Sequence, residues 1–225
     1  MARPVMQLHQ DPAKLELLAE VSKRVDDGIR ADQNTRNFTQ QLFARVSLEE
    51  LEHTPAQTLA AIASSMAEYF RCRRPGQPLI RVYNPEQDKH GWTSPHTVVE
   101  LITDDMPFLV DSVSLALSEL GLTIHMIVHP VIWVRRDPGG ELMELLERGA
   151  DEGKPEALMH VHVDRCVELR QLERVRESVE RTLDDVRLAI EGWLPMQKRT
   201  REVAAKLADL VGEVDPDDLT EAQAF

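Results

Sequence analysis

Residues 122–135 read LTIHMIVHPVIWVR, and the fold turns on this stretch. Its even positions, Leu122, Ile124, Met126, Val128, Ile132 and Val134, form a continuous apolar row. Its odd positions, Thr123, His125, Ile127, His129, Val131, Trp133 and Arg135, are mixed. Side chains alternate across a strand, so this pattern predicts a β-strand with its even face under helices and its odd face open or turned to a partner. Asp137-Pro138-Gly139-Gly140 then reverses the chain, and residues 141–146 continue a hairpin.

Strand periodicity recurs on both sides. Residues 79–83 (LIRVY) form a short strand ended by Asn84-Pro85, and 96–103 (HTVVELIT) form a better one. Residues 158–166 (LMHVHVDRC) place Met159, Val161 and Val163 inward and His160, His162 and Asp164 outward, after a charged, exposed insertion over 147–155. Asp104-Asp105-Met106-Pro107 leads into a helix with Asp105 as N-cap, Pro107 in the first turn and Gly121 as its stop. A long amphipathic helix over 169–193 carries Leu172, Val175, Val179, Leu183, Val186 and Ile190 on one stripe. The order strand, helix, strand, hairpin, strand, helix is the βαββα part of a ferredoxin-like or ACT-like arrangement. The fold class is therefore α+β, an antiparallel sheet with helices on one face.

A helical segment precedes the sheet. Leu15, Leu18, Val21, Val25 and Ile29 recur at helical spacing behind Asp11-Pro12, and Phe38, Leu42, Phe43 and Val46 follow a polar break. Ser47 and Glu50 make a capping box, and Thr54-Pro55 opens a helix bearing Leu59, Ile62, Met66 and Phe70 that ends at Arg74-Pro75-Gly76. The expected organisation is a helical segment at 1–75, an ACT-like domain at 76–194 and a helical linker at 195–225. Pro195 interrupts the long helix, and Val214-Asp215-Pro216 caps another. The chain ends within a helical pattern, as a piece of something longer would.

With 225 residues and a formal net charge of −13, the chain presents a field that repels nucleic acid and anionic lipid. The clusters at Arg71, Arg73, Arg74 and at Lys198, Arg199, Arg201 are short and read as solvated helix ends. No apolar run approaches the roughly 20 residues of a membrane span. Cys72 and Cys166 stand apart without a CxxC pair, so a reduced, cytoplasmic protein is expected.

The candidate functional residues lie on the open face and at one turn. His125, His129, His160 and His162, with Glu100, converge on that face if their strands are neighbours. Such a set suits zinc or nickel, but histidines hydrogen-bonded where the face packs on a partner are the commoner arrangement, and no metal is assigned. The interface is therefore read as His125, Ile127, His129, Trp133, His160 and His162. Paired carboxylates at Asp104 and Asp105 suggest acid–base chemistry, yet a helix cap accounts for them more simply. No catalytic residue is assigned.

Several stretches in order carry a resemblance: RRPGQPLIRVYNP at 73–85, HTVVELITDDMPFLVDSVSLALSELGLTIHMIVHPVIWVRRDPGGEL at 96–142, EALMHVHVDR at 156–165, DDVRLAIEGWLPM at 184–196 and DLTEAQAF at 218–225. The chain resembles the amino-terminal region of the large bacterial NAD-dependent glutamate dehydrogenases. The resemblance implies a parent that oxidises L-glutamate to 2-oxoglutarate with NAD, with ACT-like modules ahead of a distant catalytic domain. It implies a non-catalytic regulatory or assembly region that holds no cofactor itself, contacts downstream domains of its own chain and oligomerises. No GxGxxG follows a strand here. The runner-up is an amino-acid-sensing ACT-type module whose effector sits at Thr103, Asp104, Asp105, Met106 and Pro107. Ligand-binding ACT modules usually read Asp-x-Pro-Gly in that loop. Here Phe108 replaces the glycine and crowds the standard site. A fourth strand after the long helix is not visible, and residues 79–83 are the candidate for that edge.

Overall fold

The computed structural model describes residues 11–27 and 32–209. Helix α1 (Pro12–Asp26) opens where expected, the Asp11 side chain accepting from the Ala13 amide at 2.9 Å. Helix α2 (Gln33–Phe43) is capped by Asp32, and α3 (Leu48–Leu51) by the Ser47/Glu50 capping box. Helix α4 (Ala56–Phe70) ends four residues before the start of the expected Arg74-Pro75-Gly76 stop, with Arg71 as its C-cap. Ile29 and the Val214–Pro216 cap lie outside the described residues.

Six strands make one antiparallel sheet: β1 (Leu79–Tyr83), β2 (Thr97–Asp104), β3 (Ile124–Val128), β4 (Val131–Arg136), β5 (Leu142–Leu146) and β6 (Lys154–Val163). The order is β1-β2-β6-β4-β5, with β3 also pairing β6. A short helix with no counterpart in the sequence pattern, α5 (Gln87–His90), follows β1. Strand β1 occupies the edge beside β2, the place of the missing fourth strand. Strand β6 starts at Lys154, inside the stretch expected to be an exposed insertion. Met126 faces His162, Ile132 faces Glu156 and Val134 faces Lys154, so one register runs unbroken from β3 into β4. The predicted single strand is thus present, divided at Pro130.

Pro130 sets that division chemically. It faces Leu158, whose amide donates to the Pro130 carbonyl at 3.0 Å. Proline has no amide to return the bond. The Leu158 carbonyl instead takes His129 Nδ1 at 2.9 Å, so an imidazole replaces the missing backbone donor.

Both faces of the sheet are covered. Val98, Ile102, Val128, Ile132, Val134 and Leu158 share a core with Phe38, Leu42, Leu59, Ile62, Met66 and Phe70 of the N-terminal helices. The other face carries Val99, Leu101, Met159, Val161 and Val163, all buried. Helix α6 (Leu109–Glu119) and the first turns of α7 (Leu169–Asp209) offer the buried Leu109, Val113, Leu117, Val175 and Val179 to it. The fold class is the expected α+β, and these two helices share one face, but it is the odd-numbered one. The even face belongs to the N-terminal helices. The correction follows from register: from Met126 onward β6 pairs even residues with even residues of β3 and β4, so Met159 and Val161 cannot share a face with Val128 and Val134.

The ends of the two later helices differ from expectation in two places. Asp105 does not cap α6; the helix starts at Leu109 after Phe108, which has φ 65°. At its other end Gly121 (φ 77°) is the expected stop and closes a Schellman motif, its amide donating to the Ser118 carbonyl and that of Leu122 to the Leu117 carbonyl. Pro195 lies inside α7 and does not end it. One lost amide is carried by neighbours that favour helix, such as Met196, Gln197 and Lys198. The chain forms two compact units, Met1–Glu180 and Arg181–Phe225.

Candidate functional site

Two polar clusters interrupt the even face. The first lies at the ends of β2, β4 and β6. Arg73, expected to be a solvated helix end, is 2% exposed. Its Nη2 donates to Glu156 Oε1 at 2.8 Å and to Asp104 Oδ1 at 2.5 Å, and its Nη1 to the Gln77 carbonyl at 3.1 Å. Arg136 adds two further bonds to Glu156, both 2.8 Å, and donates to the Phe70 carbonyl at 2.9 Å and the Arg71 carbonyl at 3.1 Å. Two guanidiniums thus compensate one buried carboxylate, and one of them caps the C-terminal end of α4. Gly140 (φ 97°) closes the assembly: a Cβ there would meet the Arg73 carbonyl oxygen at 2.7 Å. Nothing in residue spacing pointed to Arg136 or Glu156, because their pairing depends on register.

An open pocket sits beside this network, lined by Arg73, Asp104, Asp105, Arg136, Lys154 and Glu156 among others. Of the five proposed effector residues, Asp104 and Asp105 reach it. Thr103 is buried within the sheet and Met106 and Pro107 do not line the pocket. Phe108 does not line it, and the residue is 70% exposed.

The second cluster holds the histidines. His160 is fully buried, with Nδ1 on Glu100 Oε1 at 2.8 Å and Nε2 on His162 Nε2 at 2.9 Å. Glu100 is held in turn by Arg81 Nε and by the Tyr83 hydroxyl at 3.1 Å. Burial raises the Glu100 carboxyl, but the His160 hydrogen bond and charge and then Arg81 outweigh it and leave it below its ordinary value. Burial and the charge of His160 push the His162 imidazole down to about 3.

His125 belongs here through a β-bulge between Ile124 and Met126. The extra residue turns His125 against His96, ring centroids 4.2 Å apart, and its Nε2 bonds Asp164 at 2.8 Å. Backbone hydrogen bonding from Thr123, then the bond to His125, holds Asp164 down at about 2. The expected open face of six interface residues is therefore split. His160 and His162 lie on the even face, and His160 is closed to any partner. His129 is spent on Leu158. Ile127 and Trp133 remain half-buried on the odd face. His96 and Trp92, which complete the histidine cluster, carry no pattern that singles them out in the sequence. Among the described residues, no three His, Cys, Asp or Glu side chains converge as a ready metal site.

An antiparallel sheet with two helices on one face, preceded by helices that close the other, defines an ACT-like α+β module. Residues 38–179 match the family described as glutamate dehydrogenase, ACT1 domain. The chain belongs to that family. It is 35% identical over 191 residues to the NAD-specific glutamate dehydrogenase of Pseudomonas aeruginosa, covering 84% of this chain and 12% of that protein. It is 32% identical over 227 residues to that of Halomonas elongata, covering 98% and 14%, and 30% identical over 171 residues to that of Mycobacterium tuberculosis, covering 74% and 10%. The chain thus spans only 10% to 14% of the length of these relatives. Among the described residues, no helix is long and apolar enough to cross a membrane.

Proposed function

We propose that this chain is a non-catalytic regulatory and assembly module of a cytoplasmic NAD-dependent glutamate dehydrogenase. The parent reaction converts L-glutamate, NAD and water to 2-oxoglutarate, ammonium and NADH, with the active site and the NAD site elsewhere in a longer polypeptide. The observation that carries this reading is the match of residues 38–179 to the ACT1 region, combined with relatives many times longer. Surface composition supports it. Phe108, just ahead of α6, and Leu115, on it, are 70% and 61% exposed, and Trp133 and Ile127 are half-buried on the odd face of the sheet. Such apolar groups suit docking onto downstream domains or a second copy. Light scattering down a concentration series, alone and with the remainder of the enzyme, tests the proposal. Dimers, larger species or co-elution are expected. A strict monomer with no affinity for the rest of the enzyme overturns it.

The pocket beside Arg73 favours a second reading, an amino-acid sensor. Carboxylates at Asp104 and Asp105 and cations at Lys154 and Arg73 line one opening, the mixed set that a zwitterion needs. Binding there would bias the module between states by its differential affinity for them. Calorimetry against a panel of amino acids separates the two readings. Heat that disappears in Asp105→Asn selects the sensor, and no heat with any of them leaves the scaffold.

A further inference from the structure

Two imidazole nitrogens face each other in the middle of the sheet. His160 and His162 stand two apart on β6, so both side chains lie on one face, and their Nε2 atoms are 2.9 Å apart. The opposite nitrogen of His160 is anchored on Glu100, itself fixed by Arg81 and Tyr83. A carboxylate on one ring nitrogen and a shared point in front of the other is how proteins orient a histidine for a metal. The rings are also spaced for it. With nitrogens about 2.0–2.1 Å from a tetrahedral ion, two imidazole centroids lie about 5 Å apart. His160–His162 is 4.9 Å and His162–His96 is 5.8 Å.

We infer that His160, His162 and His96 form a binding site for one borderline divalent transition ion, zinc foremost. The ion takes the place of the Nε2 proton that lies between His160 and His162; with His160 Nδ1–H on Glu100, that proton moves to His162 Nδ1, so both rings bind as neutral imidazoles. The two Nε2 atoms then open from 2.9 Å to roughly 3.3 Å, the separation that two nitrogens take on such an ion. His96 turns off its stack on His125 to bring in the third nitrogen. As the side chains stand, no three donors converge, so the metal assembles this site rather than filling it. Neutral imidazoles alone suit zinc, copper or nickel and not calcium or magnesium. Trp92, stacked on His162 with a 5.8 Å centroid separation, buries an Nε1–H that has no acceptor, a spare donor for water in the fourth position.

The site stands apart from the regulatory reading and fails or survives without it. The test uses the full chain, untagged, stripped with chelator and dialysed, with zinc chloride titrated by calorimetry and cobalt followed by its visible bands. One ion per chain is expected, with tetrahedral cobalt absorption. His162→Gln and His96→Ala, both at half-buried positions, are each expected to weaken binding about tenfold or more. Cys72→Ser leaves it unchanged. The absence of stoichiometric zinc binding by the stripped wild type overturns the assignment, as does unaltered affinity in both histidine variants while circular dichroism shows them folded.

Discussion

Phe108 holds a left-handed backbone, φ 65°, that glycine adopts without strain and a phenylalanine does not. Its ring is exposed, so packing does not compensate the conformation. What fixes it is the chain on either side: β2 ends at Asp104, Asp105 bonds the Pro155 carbonyl at 3.2 Å, and α6 must start at Leu109 to bury that side chain. Replacing Phe108 by glycine relieves the strain while loosening the unfolded chain, and the first effect is the larger. Phe108→Gly is expected to raise unfolding stability by about 1 kcal/mol in urea titrations, with Phe108→Ala within about 0.5 kcal/mol of wild type. A glycine variant less stable than the alanine variant contradicts a left-handed residue at this position.

At the level of elements, the strand through Pro130 depends on a borrowed donor. His129 Nδ1 serves the Leu158 carbonyl that faces proline. Removing it in His129→Ala leaves a buried acceptor unmet, a loss of about 1–3 kcal/mol. Pro130→Ala restores an amide at the same carbonyl, so the double variant is expected to recover most of that loss. A double-mutant cycle by chemical denaturation reads this as a coupling, and simple additivity refutes the substitution of imidazole for amide. The same strand marks how far the sequence is legible. Alternation from Leu122 to Val134 reveals a strand and the neighbouring helices, because burial repeats with the period of the backbone. It does not reveal which helices lie on which face. Ile127, Val131 and Trp133 make the odd row apolar enough to be covered too, and only register links it to Val161. The bulge that turns His125 toward His96 is one extra residue with no hydrophobic signature. The loop at Asp104 and Asp105 is recognisable from its residues, whereas Arg136 and Glu156 beside it meet only once β4 and β6 are paired.

For the molecule as a whole, the half-buried histidines shape the upper part of the response to acid. Burial and His160 push His162 to about 3 from an ordinary 6.5, and burial followed by His125 lowers His96. Above the ordinary value both folded and unfolded chains leave these rings neutral, and stability is independent of them. Below pH 6.5 the unfolded chain binds protons that the folded chain refuses, so stability falls with pH from there down to the folded value near 3. Asp164 acts lower in the range. Its carboxylate is held at about 2 against an ordinary 3.8, so its contribution is present above 3.8 and is lost as pH falls through 2. The acid limb should therefore have two parts, measured by urea midpoints with chelator present. His162→Gln is expected to flatten the decline between pH 6.5 and pH 4 and leave the lower part intact, while Asp164→Asn does the reverse. Parallel acid limbs in wild type and His162→Gln would mean that His162 titrates in the folded chain as freely as in the unfolded one, and the sealed Glu100–His160–His162 chain could not then persist in solution.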